Sequence, residues 1–128
     1  MNIEKFKTAY NEFRNGCNNF IRHPLARNFA YSDGVGECAD AGCHWLLDIL
    51  ATELPPVFKM NEHVSNMVSI HVKVKDGAAV IRAEFEDDLT AWKRQIDWTD
   101  MPEGTWNFLV SNEPQAPAPF RMILVSEY

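Results

Sequence analysis

The sequence predicts an α+β domain, with N-terminal helices packed on one face of a four- to five-stranded antiparallel meander. Three observations predict it. Apolar residues recur every three or four positions as far as Leu54, then every second position from Val68. An Asp-Gly pair separates two of the alternating stretches, which is the chemistry of a tight hairpin. The chain has 128 residues and is 46% hydrophobic, so it fits one domain over 1-128 with a core that needs no staples.

The first helix is predicted from Asn2 to about Asn15. Ile3, Phe6, Tyr10 and Phe13 form its apolar stripe, and Gly16 ends it. Pro24 pushes His23 toward an extended backbone, and a short helical turn is expected over Leu25–Ala30. A second helix starts at Ser32 or Asp33, either of which can cap it, with Glu37 in its first turns. Val35, Cys38, Ala39, Gly42, Cys43, Leu46, Ile49 and Leu50 fill one broad arc, with Trp45 at its edge. Glu37, Asp40, His44 and Asp48 fill a narrow opposite strip. Pro55-Pro56 is expected to stop this helix near Leu54.

Strands follow. Val68, Ile70, Val72 and Val74 alternate with Ser69, His71, Lys73 and Lys75. A two-residue turn at Asp76-Gly77 pairs Lys75 with Ala78, Val74 with Ala79, Val72 with Ile81, Ile70 with Ala83 and Val68 with Phe85. Apolar then meets apolar on one face, as a half-buried hairpin requires. The helices are expected on this Val68–Val74 face. Further strands are expected over Trp92–Trp98, Thr105–Ser111 and Phe120–Val125, with a Pro114–Pro119 loop before the last. Arg94 shares a face with Trp92, Ile96 and Trp98.

The chain carries 12 Lys+Arg and 18 Asp+Glu, a net charge of −6. The amino-terminal third is slightly basic, and the acids concentrate in the second helix and beyond Asp76. A negative surface repels phosphate, so direct nucleic-acid binding is disfavoured and a basic protein partner is electrostatically permitted. Three cysteines at Cys17, Cys38 and Cys43 make no disulfide framework. The start Met1-Asn2-Ile3-Glu4-Lys5 has no signal-peptide pattern, and no apolar run approaches the ~18 residues of a membrane span. The expected setting is the reducing cytoplasm, with no cofactor.

The blocks Arg22-His23-Pro24-Leu25-x-Arg27, Tyr31-Ser32-Asp33-Gly34-Val35 and Trp45-Leu46-Leu47-Asp48, with Ser126-Glu127-Tyr128 at the end, carry a resemblance. The chain resembles a family of small uncharacterised bacterial and phage proteins, a domain of unknown function whose members look like RHPLxRxxxYTDGVxxLAxxxGAYWLLD and close on PSEY. The resemblance implies a bacterial mobile-element or phage setting and no catalytic residues. The chain departs from it at Cys43-His44, where Ala-Tyr is commoner, so neither residue reads as an essential group of that family.

Five constellations carry candidate chemistry. Asp40, His44 and Asp48 stack at i, i+4 and i+8, a spacing that suits a divalent metal or an oriented base, with His23, His63, Glu37 or Cys43 as a further ligand. The alternative is a solvated strip of surface pairs. Cys38 and Cys43 fall in the apolar arc, where thiols are usually inert. Gly34-Val35-Gly36 lacks the third glycine and the preceding strand of a phosphate-binding loop. Arg22, His23 and Arg27 suit an anion, or an internal pairing with the acidic second helix, which is the favoured role. Last come two acidic turns, Glu84, Glu86, Asp87 and Asp88 in one, Asp97, Asp100 and Glu103 in the other, expected at opposite ends of the sheet.

The leading expectation is a non-enzymatic protein that binds a partner through these turns, with tryptophans as anchors. In a phage setting such a protein would inhibit a host nucleic-acid-binding complex such as a CRISPR effector. The alternatives are a metal- or thiol-dependent enzyme built on Asp40, His44 and Asp48, and a homodimer that buries a Trp-rich sheet face.

Overall fold

The computed structural model describes residues 1–12, 19–61, 66–85 and 90–128. Helices lie on one face of a single sheet, as expected, but the sheet has seven strands and is mixed. In chain order the elements are α1 (Ile3–Glu12), β1 (Phe20–Arg22), β2 (Phe29–Ser32), α2 (Asp33–Cys38), α3 (His44–Met60), β3 (Met67–Lys75), β4 (Ala78–Glu84), β5 (Thr90–Ile96), β6 (Gly104–Asn112) and β7 (Phe120–Leu124). A 3₁₀ turn, Val125–Glu127, follows β7. The strand order is β1-β2-β7-β6-β3-β4-β5.

The β3–β4 hairpin has the expected register, from Lys75 opposite Ala78 to Ser69 opposite Glu84. Asp76 and Gly77 take φ of 53° and 76°, the left-handed pair that a type I′ turn needs. The strands do not run on as a meander. β6 crosses over to pair with β3, setting Phe108 beside Ile70 and Val110 beside Val68. The most regular apolar strands thus share the centre, and β5 is left at the edge. β5 ends at Ile96, so Trp98 falls beyond it and is 74% exposed. Arg94, on the helix side, pairs with Glu53 of α3.

Two strands escaped the periodicity argument. The expected helical turn at Leu25–Ala30 is instead the bend of a β1–β2 hairpin, and β2 pairs parallel to β7. All four residues of β2 are buried, so no alternation marks it. The second helix is also broken. Gly42 has φ 133° inside a wide turn, Ala39–Cys43, that separates α2 from α3. α3 then runs through Pro55 and Pro56 to Met60. The prolines remove two amides from the helix, yet Phe58 holds the last turn in the core, with ring centroids 6.3 Å from Phe85 and 5.5 Å from Phe120.

α1 is described from Ile3 to Glu12, and the expected end near Asn15 with the stop at Gly16 lies outside the described residues. Phe6 is buried edge-on to Trp106, with centroids 5.0 Å apart, while Ile3 is exposed. Tyr10 stands edge-on to Trp106 and Phe108, and its hydroxyl accepts the Asn107 amide at 2.9 Å. The helices cover the Val68–Val74 face. Among the described residues the other face carries no helix, and the strands present it openly. No helix is long and apolar enough to cross a membrane.

Candidate functional site

The motif residues of the amino-terminal half converge where the β1–β2 hairpin meets α3. His23 closes β1 and is 5% exposed. Its Nδ1 accepts the amides of Leu25 and Ala26 at 3.2 and 3.0 Å, which shapes the hairpin bend. An accepting Nδ1 places the ring proton on Nε2, which lies 2.7 Å from Asp48 Oδ1. Tyr31 lies nearby in β2. Burial, then the carboxylates of Asp40 and Asp48, push its phenol above the ordinary tyrosine range. This geometry resembles a carboxylate–histidine dyad, but the nitrogen that would accept a substrate proton is filled by backbone. It braces a turn.

The same bond corrects two expectations. Asp48 turns to His23, so the row Asp40, His44, Asp48 divides: His44 Nε2 meets Asp40 Oδ1 at 2.9 Å on an exposed surface, and Asp48 is spent elsewhere. Among the described residues no cluster of three His, Cys, Asp or Glu side chains is placed to hold a metal. His63 lies outside them. The acidic helix strip is also met by His23 rather than by Arg22 or Arg27, which are both exposed.

Ser32, Asp33 and Gly34 open α2, and the cap is Ser32, whose Oγ accepts the Val35 amide at 3.2 Å. The same hydroxyl donates to Glu127 Oε1 at 2.5 Å, and that oxygen also accepts the Leu124 amide at 2.9 Å. Glu127 is 5% exposed. A Cβ on Gly34 would sit 2.8 Å from Glu127 Cδ and from Leu124 Cδ1. The glycine is therefore there for close approach, and Gly34-Val35-Gly36 holds a side-chain carboxylate rather than a phosphate. Asp33 is exposed and makes no cap.

Cys38 and Cys43 are buried reduced thiols. Desolvation pushes Cys43 up to about 12 and Cys38 higher still, and Cys43 Sγ donates to the Cys38 carbonyl at 3.3 Å. Cys17 lies outside the described residues. Neither buried thiol is poised as a nucleophile.

Of the acidic-turn residues that are described, Glu84, Asp100 and Glu103 are engaged. Glu84 sits 3.2 Å from Arg82 and 3.5 Å from His71, whose Nδ1 contacts Asn107 Oδ1 at 2.6 Å. Asp100 pairs with the Met1 ammonium, and that hydrogen bond lowers its carboxyl below the usual range. Glu103 accepts the Asp76 amide at 3.0 Å. Asp97 is exposed, and Glu86, Asp87 and Asp88 lie outside the described residues. The Trp-rich face is not an open surface either. Trp92 and Trp106 pack against the core on the helix side, with Trp45 on α3.

What the strands do leave open is the opposite face. Lys73 and His71 of β3, Arg82 of β4 and Lys93 of β5 share it, next to one another by register. Toward the other edge it holds Leu109, Ile123, Arg121 and Phe20, with the Arg121 guanidinium 4.6 Å over the Phe20 ring. A shallow depression of about 400 Å³ there is lined by Phe20, Met67, Ser111, Arg121 and Ile123 among others. Sequence alternation set only Ser69, His71, Lys73 and Lys75, with the β4 residues opposite them, away from the apolar face. It did not show the wider surface that they join, because that depends on the β3–β6 and β6–β7 crossings.

No curated protein and no solved structure matches the chain significantly. A family model does match, over residues 4–128, which takes in the His23, Tyr31–Gly34, Asp48 and Glu127 positions described above. The chain belongs to the family of unknown function DUF6876.

Proposed function

We propose that this protein acts by binding another protein, without catalysis of its own. The observation that carries the reading is the open sheet face. One layer of helices covers a seven-stranded sheet on one side, and the other side presents a wide, rigid array of charged and apolar side chains. A surface of this kind suits recognition, since its side chains are positioned by strands rather than by loops. The motif polar groups support the same reading in another way, because His23, Asp48, Ser32 and Glu127 are bonded to one another or to backbone. A bacterial or phage setting, and inhibition of a host nucleic-acid-binding complex, are the biological version of this proposal that the motif resemblance suggests.

The test is co-purification. Tagged protein expressed in bacterial cells is expected to elute as a complex of fixed stoichiometry, measured by light scattering and mass spectrometry. Recovery of the chain alone from every lysate tested overturns the reading.

A further inference from the structure

The charge of this protein is arranged against its sum. The net charge is −6, yet the strands present Arg22, Lys73, Lys75, Arg82, Lys93 and Arg121 on the open face; among the described residues the carboxylates beside them are Glu84 on β4 and Glu113, just past β6, which lies 3.3 Å from Arg121. Glu84 is matched by Arg82 at 3.2 Å. Lys73 and Lys93 are exposed and have no ion-pair partner among the described residues. The other described acids lie on or between the helices and at the sheet ends.

The positive block adjoins the β5 edge. β5 is the last strand of the sheet, so among the described residues one side of its backbone has no partner strand. Pairing two copies of β5 about their middle sets Lys93 or Arg94 against the same cations, which opposes self-association. An incoming acidic strand meets the reverse situation. Two residues past β5, Trp98 stands 74% exposed. Its backbone is held there, because the Thr99 amide donates to the Gly77 carbonyl at 2.8 Å and Thr99 Oγ1 accepts the Met101 amide at 3.1 Å. An exposed, backbone-fixed tryptophan beside a free strand edge is an anchor for a docked chain.

We propose that the β5 edge docks an acidic, extended segment of a partner protein by strand addition, with carboxylates beside Lys93 and directed toward Arg82, Lys73 adding to the positive field behind them, and apolar contact at Trp98. This rests on the protein-binding reading above and names the chemistry of the partner. Nucleic acid is the competing occupant that the test must exclude. Among the described residues the open-face positions of β3, β4 and β5 carry no aromatic ring to stack successive bases; Trp98 is a single ring beyond β5, and Phe20 lies on β1 beneath Arg121.

The probe is a fluorescein-labelled, end-capped octapeptide of alternating valine and glutamate flanked by threonines. Anisotropy is expected to show saturable binding, and amide shifts to cluster on Thr90–Ile96 and Trp98. The double variant Lys73→Glu/Lys93→Glu is expected to lose about tenfold or more in affinity. Trp98→Ala, at an exposed site, is expected to weaken binding with no loss of melting temperature, and N-methylation of alternate peptide amides to abolish it. The proposal is overturned if the peptide does not bind, if the charge variant binds it equally well, or if a single-stranded oligothymidylate of equal charge competes equally. A cellular complex that survives Lys73→Glu/Lys93→Glu overturns this docking mode alone, whereas recovery of no complex at all overturns the binding reading beneath it.

Discussion

Ser32 and Glu127 share a buried hydrogen bond of 2.5 Å across 95 positions of sequence. The carboxylate at its far end also takes the Leu124 amide, so one side chain ties the start of α2 to the end of β7. Truncation as Glu127→Ala leaves a buried hydroxyl and a buried amide without their acceptor. The expected loss is about 2–3 kcal/mol, read from urea unfolding. Glu127→Gln keeps an acceptor oxygen and is expected to lose less.

Two glycines of α2 make opposite predictions. Gly34→Ala forces a methyl to within 2.8 Å of Glu127 and Leu124 and is expected to cost about 2 kcal/mol. Gly36→Ala meets Ile21 and Tyr31 at 3.4 Å, ordinary contact, and gains helix propensity. Its melting temperature is expected to stay level or rise.

His23→Ala removes the acceptor for two hairpin amides together with the bond to Asp48. A loss of about 2–3 kcal/mol is expected from thermal or denaturant melts. Asp48→Asn retains an acceptor for His23 Nε2–H and is expected to stay within about 1 kcal/mol of the parent. A pair acting in proton transfer would instead show activity loss without this stability ordering.

Gly42→Ala imposes a side chain at φ 133° and sets it 2.9 Å from Met1 Cα. Both strain and overlap act, and about 2–3 kcal/mol of destabilisation is expected. Circular dichroism at 222 nm during unfolding reports it.

The buried thiols set an alkaline limit. Their folded values lie above the unfolded value of about 8.5, Cys43 at about 12 and Cys38 higher. Their contribution is fully present below pH about 8.5 and is lost as pH rises toward the folded values, because only the unfolded chain ionises in that window. A Cys17→Ser variant is expected to resist thiol reagents at pH 8 while folded. It is expected to yield both thiols after denaturation.

The hairpin at Asp76-Gly77 was legible because turn chemistry and alternation agreed residue by residue. β2 was not, since a strand buried on both faces carries no period and Ala30 and Ser32 are compatible with any element. The helix break at Gly42 was hidden because the apolar arc continues across it, and hydrophobicity does not report a backbone angle. Pro55 and Pro56 misled for the converse reason: a local penalty was outweighed by the burial of Phe58 two residues later. At the site, spacing placed Asp40, His44 and Asp48 in one row, and only tertiary contact shows that His23 takes Asp48 out of it. The open face was readable only along the β3–β4 hairpin; its extension to Lys93, Arg121 and Phe20 follows from strand order, and pairing partners that distant leave no mark in local sequence.

The parallel pairing of β2 with β7 has a consequence for how the chain is made. The β1–β2 hairpin joins the rest of the sheet only through β7. During synthesis, residues 20–32 therefore leave the ribosome long before the strand that receives them. The early segment waits with apolar side chains unmet until residues 120–124 emerge, so the sheet closes only after them. Folding on the ribosome is then limited by the last strand to appear, and a nascent chain arrested before β7 presents Phe29 and Tyr31 to chaperones.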